Sequence, residues 1–146
     1  MSERRVSEVS EGPWAGWMMR GRAHRFEGVI GPFYFRWHDD RVELGCDVDE
    51  RHLNGLGAAH GGFLMSVADA ALFSIAWREI RETGAVTVHL GTDFLAPAQA
   101  GDRLIATGEI VKAGGRLLFI RGEIKREETI VLTFDGVIQR LKKRDG

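Results

Sequence analysis

Residues 61–80 place the strongest constraint on the fold, because nearly every position in this stretch is apolar. Its large apolar side chains cover all sides of a helical wheel, and they are Phe63, Leu64, Met65, Val67, Leu72, Phe73, Ile75 and Trp77. A helix that is apolar all round is buried on most of its faces. Arg78 and Glu79 mark where the helix leaves the core, and Thr83-Gly84 ends it. The rest of the chain must therefore wrap around this helix.

Segments on both sides of the helix have the alternation and the aromatic or β-branched content of strands. Six strands are predicted, two before the helix and four after it, at 33–37, 42–48, 86–95, 103–112, 116–126 and 129–141. Residues 52–59 are predicted to form a loop, since they contain Asn54, Gly55 and Gly57. Consecutive strands with short links favour an antiparallel sheet. One long helix wrapped by such a sheet is an α+β domain.

The length of 146 residues corresponds to one domain, and a chain of this size can bury roughly 70% of its unfolded surface. We predict an N-terminal extension at 1–30, partly loose or forming a short helix, and a single domain at 31–146. Within the extension, residues 14–25 mix Trp and Met with Arg. That mixture predicts a short amphipathic helix with its aromatic face packed on the domain.

Charge and motif content exclude several classes of function. The 20 Lys and Arg residues nearly balance 21 Asp and Glu residues, so nucleic-acid binding is not expected. The longest apolar stretch, 62–77, is interrupted by polar residues and is shorter than the roughly 18 residues of a membrane span. The charged N-terminus lacks a signal-like apolar segment, so a cytoplasmic protein without membrane contact is expected. Motifs of serine hydrolases, NTPases and dinucleotide-binding proteins do not occur.

Neither a metal site nor a cofactor is predicted. The single cysteine, Cys46, cannot form an internal disulfide or a cysteine-based zinc site alone, and an inert, at least half-buried thiol is expected. His60 is a conceivable metal ligand, but no second histidine follows it at the spacing that a helical metal site requires.

Two features at the long helix carry chemistry. Gly61 and Gly62 open it, and the first N–H groups of a helix have no internal partner and lie at the positive end of its dipole. Such donors can bind an anion or stabilise an oxyanion, although glycines before a helix often only form the turn. Asp69 lies in the middle of the apolar helix, where a carboxylate is costly to bury. It is either a structural carboxylate satisfied elsewhere or a general base or nucleophile.

The motifs at the long helix resemble those of the hotdog-fold acyl-CoA thioesterases, specifically the PaaI-like group of the phenylacetate pathway. The matching motifs are Asn54-x-x-Gly57-x-x-His60-Gly61-Gly62 and Val67-Ala68-Asp69-Ala70-Ala71. Downstream, residues 92–97, 101–104 and the Gly-Gly-Arg hairpin near Gly115 are similar as well. The resemblance spans about residues 41–140, and it implies a hotdog fold and acyl-CoA hydrolysis.

The resemblance also implies roles for individual residues. Asp69 would activate water or attack the thioester, and the Gly61 N–H would polarise the thioester carbonyl. Asn54 and His60 would orient the thioester and the loop, and Thr87 would help to hold the water. Substrate-binding residues are expected at the helix start and at the Gly114-Gly115 hairpin, namely Gly62, Phe63, Lys112 and Arg116. The two basic residues either hold coenzyme phosphates or only form a solvated hairpin end. Aromatic residues such as Phe73, Trp77 and Trp37 could line the acyl pocket, although they also suit the core.

A distance argument connects these roles to the oligomeric state. Gly61 and Asp69 are eight residues apart, which is about 12 Å along one helix. One helix therefore cannot supply both groups to one carbonyl, whereas two antiparallel helices at a two-fold axis can. A homodimer with shared sites, in some relatives paired into a homotetramer, is expected. The alternatives are a non-catalytic acyl-CoA-binding hotdog module and a hotdog hydratase or dehydratase. A pure binder has no need of Asp69, and the His60–Asp69 spacing suits the thioesterases.

Overall fold

The computed structural model describes residues 5–21 and 25–143. In this part of the chain there are eight strands and three α-helices, with a 3₁₀ turn at Glu50–His52. In chain order they are β1 (Arg5–Glu8), β2 (Met18–Gly21), α1 (Phe26–Ile30), β3 (Tyr34–His38), β4 (Arg41–Asp47), α2 (Gly61–Ile75), α3 (Trp77–Ile80), β5 (Ala85–Phe94), β6 (Arg103–Ala113), β7 (Leu117–Arg126) and β8 (Thr129–Arg140).

All described strands join one antiparallel sheet in the order β1-β2-β3-β4-β6-β7-β8-β5. Helix α2 packs against β4, β6, β7, β8 and β5, so the sheet curves around it. The predicted α+β architecture, an antiparallel sheet wrapped around one long helix, is confirmed. None of the described helices combines the length and the apolar character that crossing a membrane requires.

The inner face of the sheet is shaped to receive α2. Leu104, Leu118 and Ile138 point inward from three neighbouring strands and are fully buried. At Gly136, a Cβ would lie only 2.5 Å from Cδ1 of Leu72 on the helix. A side chain at this position would force the buried Leu72 to move, so glycine lets the helix pack close to the strand.

The long helix is interrupted near its end. The predicted single helix over 61–80 consists of α2 and α3, which are separated at Ala76 (φ −89°, ψ 7°). Just before the break, the Ser74 hydroxyl donates to the carbonyl of Ala70 at 3.1 Å. Such bonds from Ser to the preceding turn often bend helices, and this one lies directly before the break.

The prediction of a helix over residues 14–25 is wrong for the described part of that segment. Met18–Gly21 is a strand, in which Met18 pairs with Phe35 of β3. Pairing with a distant strand outweighs the local amphipathic pattern. The predicted aromatic packing is present, since Trp14 stacks on Tyr34 with ring centroids 4.6 Å apart. Residues 22–24 lie outside the described residues, and the division of the chain at residue 30 stays a prediction.

Candidate active site

The loop before α2 is shaped by Asn54. Its side-chain Oδ1 accepts hydrogen bonds from the N–H groups of Leu56 (2.9 Å) and Ala58 (3.2 Å). Gly57 completes the turn with a φ of +83°, a value that favours glycine. Leu53 and Ala59 then pair across the base of the loop. Asn54 therefore holds the loop that delivers the chain to the start of α2.

His60 caps the helix and leaves Gly61 exposed to a ligand. The His60 Nδ1 accepts a hydrogen bond from the Gly62 N–H at 2.8 Å, so a neutral ring carries its proton on Nε2. Within the described residues the Gly61 N–H has no hydrogen-bond partner. The Phe94 ring lies beside it, 3.3 Å from the position that a Gly61 Cβ would occupy. One donor at the positive end of α2 is thus available.

Asp69 is paired with a hydroxyl group. It is half-buried near the middle of α2, and its Oδ1 accepts a hydrogen bond of 2.7 Å from the Thr87 hydroxyl of β5. The register of β5 on β8 shifts directly after Thr87. A hydroxyl donor to one carboxylate oxygen leaves the other oxygen free to accept a proton. The structure therefore brings together two of the predicted site residues, Asp69 and Thr87.

The helix start and the carboxylate form two separate groups within one chain. Gly61 and Asp69 are eight positions apart, which corresponds to about 12 Å of continuous helix. Gly61 lies beside Phe94 at one end of β5, and Asp69 contacts Thr87 near its other end. Helix α2 is unbroken between these two residues, so the separation predicted from the sequence applies in the structure as well.

The remaining predicted site residues lie apart from Asp69. Phe63 is buried and stacks on the His52 ring with centroids 3.8 Å apart, which places it in the core. The Gly62 N–H is already occupied by His60. Lys112 and Arg116 are exposed at the hairpin between β6 and β7. No contact among the described residues connects these four to the carboxylate.

His52 and Arg51 support the site, and they are not predicted from the sequence. The His52 Nδ1 accepts from the Asp49 N–H at 3.0 Å, which leaves Nε2 to donate to the Ile30 carbonyl at 2.6 Å. Arg51 donates to the carbonyls of Val29 and Gly31. Together they attach the end of α1 to the loop before α2. The Asp49-x-x-His52 spacing of a capping box is the one sequence signal that points to them.

A cleft of about 730 Å³ opens beside Asp69, and we call it the side cleft. Its lining includes Ala70, Phe73 and Trp77 on the helical side. Glu27 of α1 also lines it, and burial raises the pKa of its carboxyl, with the charge of Asp69 acting in the same direction and Arg20 opposing.

Two further observations bear on reactive groups. Cys46 is buried in β4, and burial raises the pKa of its thiol, as expected for an inert cysteine. In the described ranges, no group of three or more His, Cys, Asp or Glu side chains is arranged to hold a metal ion.

An antiparallel sheet wrapped around a central helix with a glycine-led N-terminus defines a hotdog-fold protein. The model of the Thioesterase superfamily matches residues 56–133, which include the second half of the loop, α2, β5, β6, β7 and the start of β8. This chain belongs to the thioesterase superfamily. The predicted hotdog thioesterase of the PaaI-like kind is thereby confirmed.

Individual relatives agree with this assignment. A Pseudomonas aeruginosa protein to which an esterase activity is ascribed is 33% identical over 111 residues, covering 75% of this chain and 83% of its own. Acyl-coenzyme A thioesterase 13 of Mus musculus is 28% identical over 96 residues, covering 64% and 69%. The solved structure of the E. coli PaaI protein from the phenylacetic acid degradation operon superposes with a TM-score of 0.73 at 25% identity, covering 82% and 87%.

Proposed function

We propose that the protein hydrolyses acyl-CoA thioesters to a free acid and coenzyme A. Membership of the thioesterase superfamily supports thioester hydrolysis, and a mouse relative is named as an acyl-coenzyme A thioesterase. The observation that carries the proposal is the hydroxyl-paired carboxylate of Asp69 in the middle of the buried helix. This carboxylate is half-buried and has one oxygen not used by Thr87, so it can accept a proton from water or attack a carbonyl, as hydrolysis requires.

In the proposed reaction Asp69 activates the attack on the thioester carbonyl. Acting as a base, it accepts a proton from water while the water oxygen bonds to the carbonyl carbon. Acting as a nucleophile, it would bond to that carbon itself, and water would then hydrolyse the mixed anhydride. Thr87 orients the carboxylate by its hydrogen bond. The Gly61 N–H stabilises the oxyanion, after which the carbon–sulfur bond breaks and the thiolate leaves and takes up a proton.

Coenzyme A also carries phosphate groups that need cationic partners. Lys112 and Arg116 are exposed at one hairpin, where their side chains are free to reach a bound ligand. We assign the phosphates to these two residues, since guanidinium and ammonium groups are the usual phosphate partners in proteins.

We further propose that the site is shared between two copies of the chain. Gly61 and Asp69 lie too far apart on α2 to act on one carbonyl, so Gly61 of one copy would serve Asp69 of the other. Strand β5 supports this arrangement because it is the last strand of the sheet, and no strand among the described residues pairs with its outer edge. Its Val86 and Val88 are 47% and 56% exposed, and an apolar edge strand of this kind is usually covered by another chain.

Mixing two inactive variants tests the shared site. Subunits carrying Asp69→Asn are unfolded and refolded with an equal amount of subunits carrying Gly61→Pro, a change that removes the backbone donor. In random pairs, half of the dimers are mixed, and one of the two sites in each mixed dimer is intact. Hydrolysis is therefore expected to recover to about a quarter of the wild-type rate. The two variants refolded separately are the control, and a mixture no more active than they are would contradict a shared site.

A panel of acyl-CoA esters tests the function itself. Release of free thiol is measured with a chromogenic thiol reagent for acyl groups of different size, and hydrolysis is expected for at least one of them at a rate that Asp69→Asn abolishes. Esters that bind, as measured by calorimetry, without release of thiol would instead support a non-catalytic binding module. Hydration of an enoyl-CoA ester without thiol release would support a hydratase.

A further inference from the structure

The side cleft has two walls of different origin. One wall comes from the central part of the chain and includes Phe73 and Trp77. The other, which we call the N-terminal wall, is formed by Val6, Met18, Arg20 and Glu27. The N-terminal wall thus comes from residues within 5–21 and 25–30, parts of the chain that the superfamily match at 56–133 does not include.

The side cleft begins where the reacting carbonyl is proposed to lie. Ala70, which follows Asp69 directly, lines it, and so does Phe73, one turn further along α2. Ala85 lines it from β5, two residues before Thr87. The side cleft therefore lies next to the pair formed by Asp69 and Thr87.

The lining of the side cleft is suited to an apolar group. Aromatic rings contribute much of it, including those of Phe35 and Trp37 of β3. The Arg20 guanidinium lies 5.2 Å from the ring centre of Phe35 and 6.0 Å from that of Trp77, so its charge is placed against aromatic faces. Its charge also opposes that of Glu27 in the same wall. The volume of about 730 Å³ is within the range of pockets for small organic ligands.

The N-terminal wall is attached to the rest of the molecule at both ends. Strand β2 pairs with β3 through Met18 and Phe35. The last carbonyls of α1 accept hydrogen bonds from His52 and Arg51. His52 in turn stacks on Phe63 in the first turn of α2. The wall is therefore positioned by the same loop that places the Gly61 N–H.

We propose that the side cleft binds the acyl group and that the N-terminal wall sets its size, with Met18 and Trp37 as specificity-determining residues. The preferred acyl group is apolar and considerably larger than acetyl. This inference rests on the proposed acyl-CoA hydrolysis and adds where the acyl group lies and what limits it.

The two neighbouring methionines of β2 provide a matched test. Both are half-buried, but Met18 pairs with the buried Phe35 and lines the side cleft, whereas Met19 pairs with Tyr34 and points to the opposite face of the sheet. We compare kcat/KM for octanoyl-CoA with that for acetyl-CoA in Met18→Trp and Met19→Trp. Met18→Trp fills the side cleft and is expected to lower the octanoyl-to-acetyl ratio at least about tenfold, whereas Met19→Trp leaves it unchanged.

The outcomes separate this proposal from the proposed function. Suppose that the wild-type protein releases thiol from octanoyl-CoA and that Met18→Trp has the same octanoyl-to-acetyl ratio of kcat/KM. This result would overturn the side cleft as the acyl site and leave the proposed hydrolysis intact. A wild-type protein inactive on all esters would overturn both. If Met18→Trp unfolds in a thermal melt, Trp37→Leu replaces it, since Trp37 is 47% exposed. Trp37→Leu is expected to raise KM for octanoyl-CoA about tenfold, and an unchanged KM would count against the proposal.

Discussion

Asp69→Asn is expected to lower kcat for acyl-CoA hydrolysis by about 100- to 10,000-fold, the usual contribution of a general base. The amide has the same shape as the carboxylate, and its oxygen can still accept the Thr87 hydrogen bond. The fold and any dimer should therefore persist, while the group that accepts a proton or attacks the carbonyl is removed. Thiol release under saturating ester measures kcat, and a thermal melt verifies the fold.

The control for this variant is Asp93→Asn. Asp93 is exposed on the same strand as Thr87, but it pairs across from Thr133 on the outer face of the sheet, away from α2. Its replacement also removes one negative charge, and kcat is expected to stay at the wild-type level. An Asp69→Asn protein that keeps most of its kcat would exclude Asp69 as base or nucleophile.

Gly61→Pro is expected to lower kcat about 100- to 1000-fold, the usual effect of losing one oxyanion donor. Proline lacks the N–H, and in this structure that N–H is not used by the described part of the fold. Gly61 is the first residue of α2, the helical position at which proline is best tolerated. His60 has φ −61° and ψ 135°, the extended backbone that a residue before proline prefers. The substitution therefore removes the donor with little strain.

The matched control is Gly61→Ala, which keeps the N–H. Its Cβ makes the same 3.3 Å approach to the Phe94 ring, and that ring is half-exposed and can move by the few tenths of an ångström required. The alanine variant is expected to retain most of the wild-type kcat. Equal losses in the two variants would show that added bulk beside Phe94, and not the missing donor, is responsible.

The central helix and the sheet around it follow from local patterns. Residues 61–75 are apolar on all sides, and the alternation in β6 to β8 places Leu104, Leu118 and Ile138 on one face. Both patterns depend on neighbours within a few positions along the chain, so they can be read without knowledge of distant contacts. The interruption at Ala76 could not be predicted in this way, since neither Gly nor Pro occurs in residues 73–80 to mark it.

The N-terminal segment shows why the remaining elements of the fold could not be predicted from the sequence. Its Trp and Met residues suit an amphipathic helix, yet Met18 is part of a strand because β3 offers a pairing edge. Trp14 is likewise placed by partners far along the chain, stacking on Tyr34 and donating from Nε1 to Asp47 at 2.7 Å. Contacts between residues that are distant in sequence leave no periodic signal in either partner.

The sequence by itself determined that a glycine-led, apolar helix carries one carboxylate and that Gly61 and Asp69 lie about 12 Å apart, since the rise of a helix depends only on residue count. Only the tertiary structure decided that Thr87 donates to Asp69 and that Val6, Met18, Arg20 and Glu27 form one wall of the cleft beside it. Those arrangements arise from strand order and side-chain packing, in which distant segments meet, and no local pattern encodes them.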